Sequence, residues 1–206
     1  MKKIIIGYII AAILWFLMFS PWTSGYINFW GLMLFSTGGL TAYSFLAAPK
    51  NELRKLYSVN FKYVIIGIVS AIALYIFFYI GNEISQLLFN FSKNQVAEVY
   101  RTKEQAGKIF IGLALLFWIG PAEEIFWRGF AQKRLADKVG DYKALIITSL
   151  VYASVHIWSG NIMLLITALI CGLFWGWMFL KYKSLVPALI SHAIWDVLIF
   201  VIIPLS

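Results

Sequence analysis

Six side chains in the C-terminal half of this 206-residue chain are of types and at spacings that could do chemistry together: Glu123, Glu124, Arg128, His156, His192 and Asp196. Both histidines of the chain are among them. Hydrolysis of an amide needs a base, an activated water and a donor for the tetrahedral oxyanion. A carboxylate stripped of water is a good base near neutral pH, and an imidazole can donate or accept. Helical spacing sorts the roles. Glu124 and Arg128 are four apart and can pair on one helix face. Tyr152 and His156 share that spacing, as do His192 and Asp196, so a carboxylate can orient the second imidazole. Adjacent helical residues point about 100° apart, so Glu123 and Glu124 cannot share one task. Glu123 is assigned to chemistry and Glu124 to Arg128. Glu123, His156 and His192 could alternatively hold zinc, which would activate water and polarise a carbonyl. The sequence-local HExxH signature is absent, so glutamate catalysis without a metal is the preferred reading and zinc the alternative.

These groups lie in sequence that should repel them. Hydrophobic residues make up 62% of the chain and charged residues 13%, against about 25% charged in soluble domains. Mean hydropathy is +0.83. The single Cys171 excludes an internal disulfide framework and a multi-cysteine zinc module. The chain reads as an all-α polytopic transmembrane helix bundle of about seven spans, over residues 4–19, 27–48, 61–80, 109–130, 143–158, 162–180 and 185–203. No period-2 alternation suggests a barrel. The first stretch lacks a small-residue cleavage pattern and reads as an uncleaved span. A charged group at the bilayer centre costs at least about 2.5–3.5 kcal/mol and persists when it faces the protein interior and is paired. At a rise of about 1.5 Å per residue, Glu123, His156 and His192 lie roughly 18, 20 and 13 Å from the cytosolic loops. Three helices thus bring polar groups to similar depth.

Lys and Arg set the orientation. With the N-terminus in the cytosol, thirteen of the 17 fall on the inner side, including Lys2, Lys3, Lys50, Arg54, Lys55 and Lys133. Lys93, Arg101, Lys103 and Lys108 remain outside. The net charge of +8 is therefore explained by topology, and no basic tract for nucleic acid is present. The chain divides at residue 108: a three-span N-terminal region (1–108) with an outer amphipathic connection, and a four-span catalytic core (109–206), together one membrane unit. In the connection, Ile84, Leu87, Leu88 and Phe91 at helical spacing suggest an extended third span or an interfacial helix, with a lid as the alternative. Gly172 and Gly176 form a small-xxx-small pattern suited to close helix packing. The nine Trp and eleven Tyr read chiefly as interface anchors.

Three motifs carry a resemblance. Glu123-Glu124-Ile125-Phe126-Trp127-Arg128 fits the EExxxR motif of the CAAX protease and bacteriocin-processing (CPBP, or Abi) membrane endopeptidases. Tyr152-xxx-His156 resembles the family's FxxxH motif, with Tyr for Phe, and His192-xxx-Asp196 resembles its HxxxN or HxxxD motif. The resemblance spans about residues 109–203 and leaves spans one to three outside. It implies an intramembrane endopeptidase in which Glu123 and His156 hold and activate water, while His192 and residue 196 stabilise the oxyanion. An Asn at 196 would donate a hydrogen bond, and an ionised Asp cannot. Asp196 is therefore either protonated or a support behind His192.

The expected substrate is a membrane-associated peptide or protein, lipidated or bacteriocin-like, met in the lipid bilayer without nucleic acid. The expected location is a multi-pass integral membrane protein with a cytosolic N-terminus, in the inner (plasma) membrane if the host is prokaryotic. A proton-coupled transporter also places Glu, Asp and His in spans, but no internal repeat between the halves accompanies them here. A non-catalytic peptide-binding or immunity protein is the other alternative.

Overall fold

A computed structural model describes residues 1–49 and 51–205. Lys50, counted above with the cytosolic cations, lies outside the described residues. The described residues form helices and turns without a strand. The long helices are α1 (Lys2–Phe19), α2 (Phe29–Ala47), α4 (Phe61–Leu88), α6 (Lys108–Val139), α7 (Asp141–Ser154), α8 (Ile162–Tyr182) and α9 (Val186–Val197), and each coincides with an expected span. The short α3 (Glu52–Lys55) and α5 (Ser92–Arg101) lie between them. By length and composition four helices can cross a membrane: α1, α4, α6 and α8. The others fall short for local reasons. Helix α2 carries Ser36, Thr37 and Ser44 in its buried face. Helix α7 passes into a 3-10 turn (Val155–Ser159) that ends where Gly160 takes a left-handed φ of 63°. Helix α9 continues as a wider turn only to Ile202.

The third span runs on to Leu88, so Ile84, Leu87 and Leu88 extend it as expected. Helix α5 then fills the space left by the shortness of α7. Asn161, in the turn after α7, donates to Gln95 O at 2.7 Å, and Gln95 Oε1 accepts from Met163 N at 3.1 Å. Tyr100 donates to Ile199 O at 2.9 Å and accepts from Leu205 N at 2.9 Å.

Successive helices alternate in direction, which sorts the connections to two faces. Lys3 donates to Ala47 O, Arg134 pairs with Glu52, and Lys183 pairs with Asp141 on the face of the N-terminus. On the opposite face Asn28 donates to Gln105 O and Trp30 to Thr102 O. Between the faces, one apolar cluster unites Trp15 and Leu40 with Trp127, Phe130 and Tyr152, drawing on both sides of residue 108.

Glycines set the closest approaches near the site. A Cβ on Gly120 of α6 would lie 3.0 Å from the Ala193 Cα of α9. That crossing puts His192 beside α6. On α8, a Cβ at Gly172 would stand 3.2 Å from Ser149 and Tyr152, and one at Gly176 would collide with Leu145 at 2.5 Å. The small-xxx-small stripe therefore seats α7 against α8, as its pattern implied.

Candidate active site

Helix α6 is not a uniform α-helix. Wider i→i+5 stretches, Leu115–Ile119 and Ile125–Gln132, flank the α-helical turn Gly120–Glu124. Pro121 lacks an N–H and crowds the carbonyl four residues before it, which loosens the preceding turn. Such π segments inside α-helices recur at functional sites. Here they set off the turn that carries both glutamates.

The two glutamates face different partners. Glu123 lines a cavity of about 590 Å³ together with Tyr152, His156, His192 and Asp196. Its Oε2 accepts from the Tyr152 hydroxyl at 3.0 Å. Glu124 and Arg128 are 0% and 1% exposed and stand off the cavity wall. Glu124 Oε1 accepts from Arg128 Nη1 at 2.7 Å and from His192 Nδ1 at 2.8 Å. Arg128 Nη2 also donates to Gly172 O at 3.2 Å, and its guanidinium lies 5.1 Å from the Tyr152 ring centroid. The structure thus brings all six sequence-predicted residues together, four on the wall and two behind it.

Geometry decides the state of each imidazole. His156 Nδ1 faces the Tyr152 carbonyl at 2.8 Å and can only donate to it. Its Nε2 accepts from the Trp15 indole N–H at 3.1 Å. His156 is therefore the neutral Nδ1–H tautomer, with donor and lone pair both taken by protein. His192 donates from Nδ1 to Glu124, its ring stacks on Trp175 at 3.7 Å between centroids, and its Nε2 lies 3.5 Å from Asp196 Oδ2. The carboxylate that orients His192 from behind is Glu124. Asp196 meets the opposite edge of the ring, on the cavity side, so His192 lies between two carboxylates.

The zinc set anticipated from Glu123, His156 and His192 does not assemble. Among the described residues, no three His, Cys, Asp or Glu side chains are placed to share a metal ion. Trp15 holds the one lone pair that His156 could offer to a metal, so these residues do not fit that role in this arrangement.

Motif reading missed Trp15, Trp175 and Gln132. Trp15 lies 141 positions from its partner His156 on a helix that carries no motif, and nothing in its local sequence marks it. Trp175 sits between the paired glycines of α8, which hints at a buried aromatic at a close helix contact. Gln132 follows Arg128 by one turn and donates to Gly176 O at 2.9 Å, repeating the tie that Arg128 makes to Gly172.

No curated protein and no solved structure matches the chain. Residues 105–198, which hold all six residues, match the family model described as Type II CAAX prenyl endopeptidase Rce1-like, the membrane protease family that the three motifs resemble.

Proposed function

We propose that the chain is an intramembrane endopeptidase that hydrolyses a peptide bond of a membrane-associated protein or peptide, with Glu123 as general base. The observation that carries this reading is the cavity wall itself, where Glu123, Tyr152, His192 and Asp196 face one shared space. The Tyr152 hydroxyl holds Glu123 Oε2 and leaves the other oxygen to a water. Glu123 takes a proton from that water as its oxygen adds to the scissile carbonyl carbon. The oxyanion that forms needs a donor.

His192 and Asp196 supply the donor if they hold one proton between them. With Nδ1–H committed to Glu124, neutral His192 offers only a lone pair at Nε2. One further proton, on Nε2 or on the Asp196 carboxyl 3.5 Å away, provides the missing N–H or O–H. Either position serves, so an Asp here can do what an Asn would do. The tetrahedral intermediate then collapses: its C–N bond breaks, Glu123 passes its proton to the leaving amine, and the acyl half departs as a carboxylic acid that releases its remaining proton to water. Glu124 and Arg128 act as positioning residues. His156 reaches a water only when the Trp15 N–H leaves its Nε2, so water activation rests first on Glu123. The N-terminus is placed in the cytosol on the lysine and arginine distribution.

The test compares purified wild type with Glu123→Ala and Glu123→Gln on a quenched fluorescent peptide inserted in proteoliposomes. Cleavage by wild type and its loss in both variants is expected. Equal rates in all three would refute the proposal.

A further inference from the structure

The cavity is open at one end only. Its rim is formed by exposed residues of two connections: Gly25 between α1 and α2, and, between α4 and α6, Glu98 and Arg101 on α5 with Glu104 and Gln105 after it. All lie on the face opposite the N-terminus. Among the described residues, none of the connections on the N-terminal face lines the cavity: 48–49, 51–60, 133–143 and 181–185 are absent from its wall.

The route to the N-terminal face is closed by buried side chains. Arg128 and Gln132, 1% and 3% exposed, reach from α6 to the Gly172 and Gly176 carbonyls of α8. Trp175, fully buried, stacks on His192 above them. A peptide arriving from that face would have to break these ties and separate α6 from α8.

Which compartment the open face meets follows from charge. Among the described residues, eleven Lys and Arg lie on the N-terminal face and four on the open face, with Arg128 buried between them beside Glu124. Positively charged connections stay cytosolic. We infer that the active-site cavity opens to the non-cytosolic side of the membrane, so that, with the chain read as an endopeptidase as above, its substrate is a polypeptide presented from outside the cytosol. Such a substrate is an exported, translocated or extracellular peptide. The C-terminal tail of a cytosolic protein would meet the sealed face. The inner walls near the rim are apolar, with Phe19, Phe29, Trp30, Met33 and Phe200, so the segment beside the scissile bond is apolar as well.

Two measurements on the full chain in its membrane test this. In the first, a cysteine replaces Gly25, where an added side chain meets nothing within 4 Å, or Lys138, exposed on the opposite face. A membrane-impermeant maleimide should label Gly25→Cys in right-side-out vesicles and Lys138→Cys in inverted ones. The reverse pattern would overturn the inference and leave the endopeptidase reading intact. In the second, a charged, impermeant, quenched fluorescent peptide with an apolar centre is added to the same two preparations. Glu123-dependent cleavage in right-side-out vesicles alone is expected, and cleavage confined to inverted vesicles would overturn the inference. If detergent-solubilised protein shows no Glu123-dependent cleavage, the endopeptidase reading fails, while the labelling pattern still decides which compartment the cavity faces.

Discussion

The two halves of the bundle, divided at the depth of the glutamates, are built on opposite plans. On the side of the N-terminus, α6 is bound to α8 by Arg128 and Gln132 reaching glycine carbonyls, and α7 lies against the same glycines. On the other side the helices part around a cavity of about 590 Å³, and polar contacts such as Asn161–Gln95 and Trp30–Thr102 hold its rim. The difference shows how an intramembrane site can hold both water and charge. The sealed half holds Glu124 and Arg128 in a dry pair through Glu124 Oε1, the same oxygen that holds His192, while Glu124 Oε2 meets no hydrogen-bond partner. The open half exposes Glu123, His192 and Asp196 to the cavity. The buried tie and the cavity-facing carboxylate belong to neighbouring residues one helical step apart.

Substitutions on the two sides should fail in different ways. Glu123→Gln should lower the cleavage rate by about 10²–10⁴-fold, the range for a lost general base, and leave the thermal midpoint near that of wild type. Arg128→Met should instead lower stability. It strands Glu124 without its partner, at a cost of about 3–5 kcal/mol, and differential scanning fluorimetry in detergent should show a falling midpoint alongside lost activity. An Arg128 variant that is inactive but as stable as wild type would place Arg128 on the reactive side and break the comparison.

Asp196 sharpens the line between the halves. Asp196→Ala removes the shared proton site and should cost about 10²–10³-fold in rate, as for a lost oxyanion donor. Asp196→Asn supplies an N–H and should recover most of that loss in the same assay. If Asn is as poor as Ala, the carboxylate has a role other than donation.

The smallest expected effect is at Trp15. Trp15→Phe keeps the ring but leaves the buried His156 Nε2 without a donor, at a cost of about 1–3 kcal/mol in stability. It also frees that lone pair for water, so the pH profile of cleavage should change together with the midpoint. A fall in stability with an unchanged pH profile would confine His156 to the structural side of the comparison.

How much of the site was legible depended on the range of each interaction. The Glu124–Arg128 pair lies within one helix, so spacing alone located it. The separation of Glu123 from Glu124 was also local, because consecutive helical residues diverge whatever surrounds them. The support of His192 was not local. Spacing offered Asp196, four residues away, whereas the shorter bond comes from Glu124 on another helix. The placement of the zinc alternative's residues turns on the same kind of contact. Residue types alone permit a ligand set, but a tryptophan from α1 holds the lone pair that His156 would have offered.

What the sequence by itself determined is the medium and the inventory. Its apolar stretches and sparse charge demand helices in a bilayer, because backbone groups there must be satisfied within each segment. Its few intramembrane titratable groups mark the site, because a charge in that medium persists only when paired or used. The tertiary structure decided which nitrogen meets which oxygen and at which end the cavity opens. Those outcomes depend on where Gly120, Gly172 and Gly176 let helices approach, and on the tie from α5 to the turn that ends α7. Contacts between residues tens of positions apart set them, and no periodicity along the chain encodes such contacts.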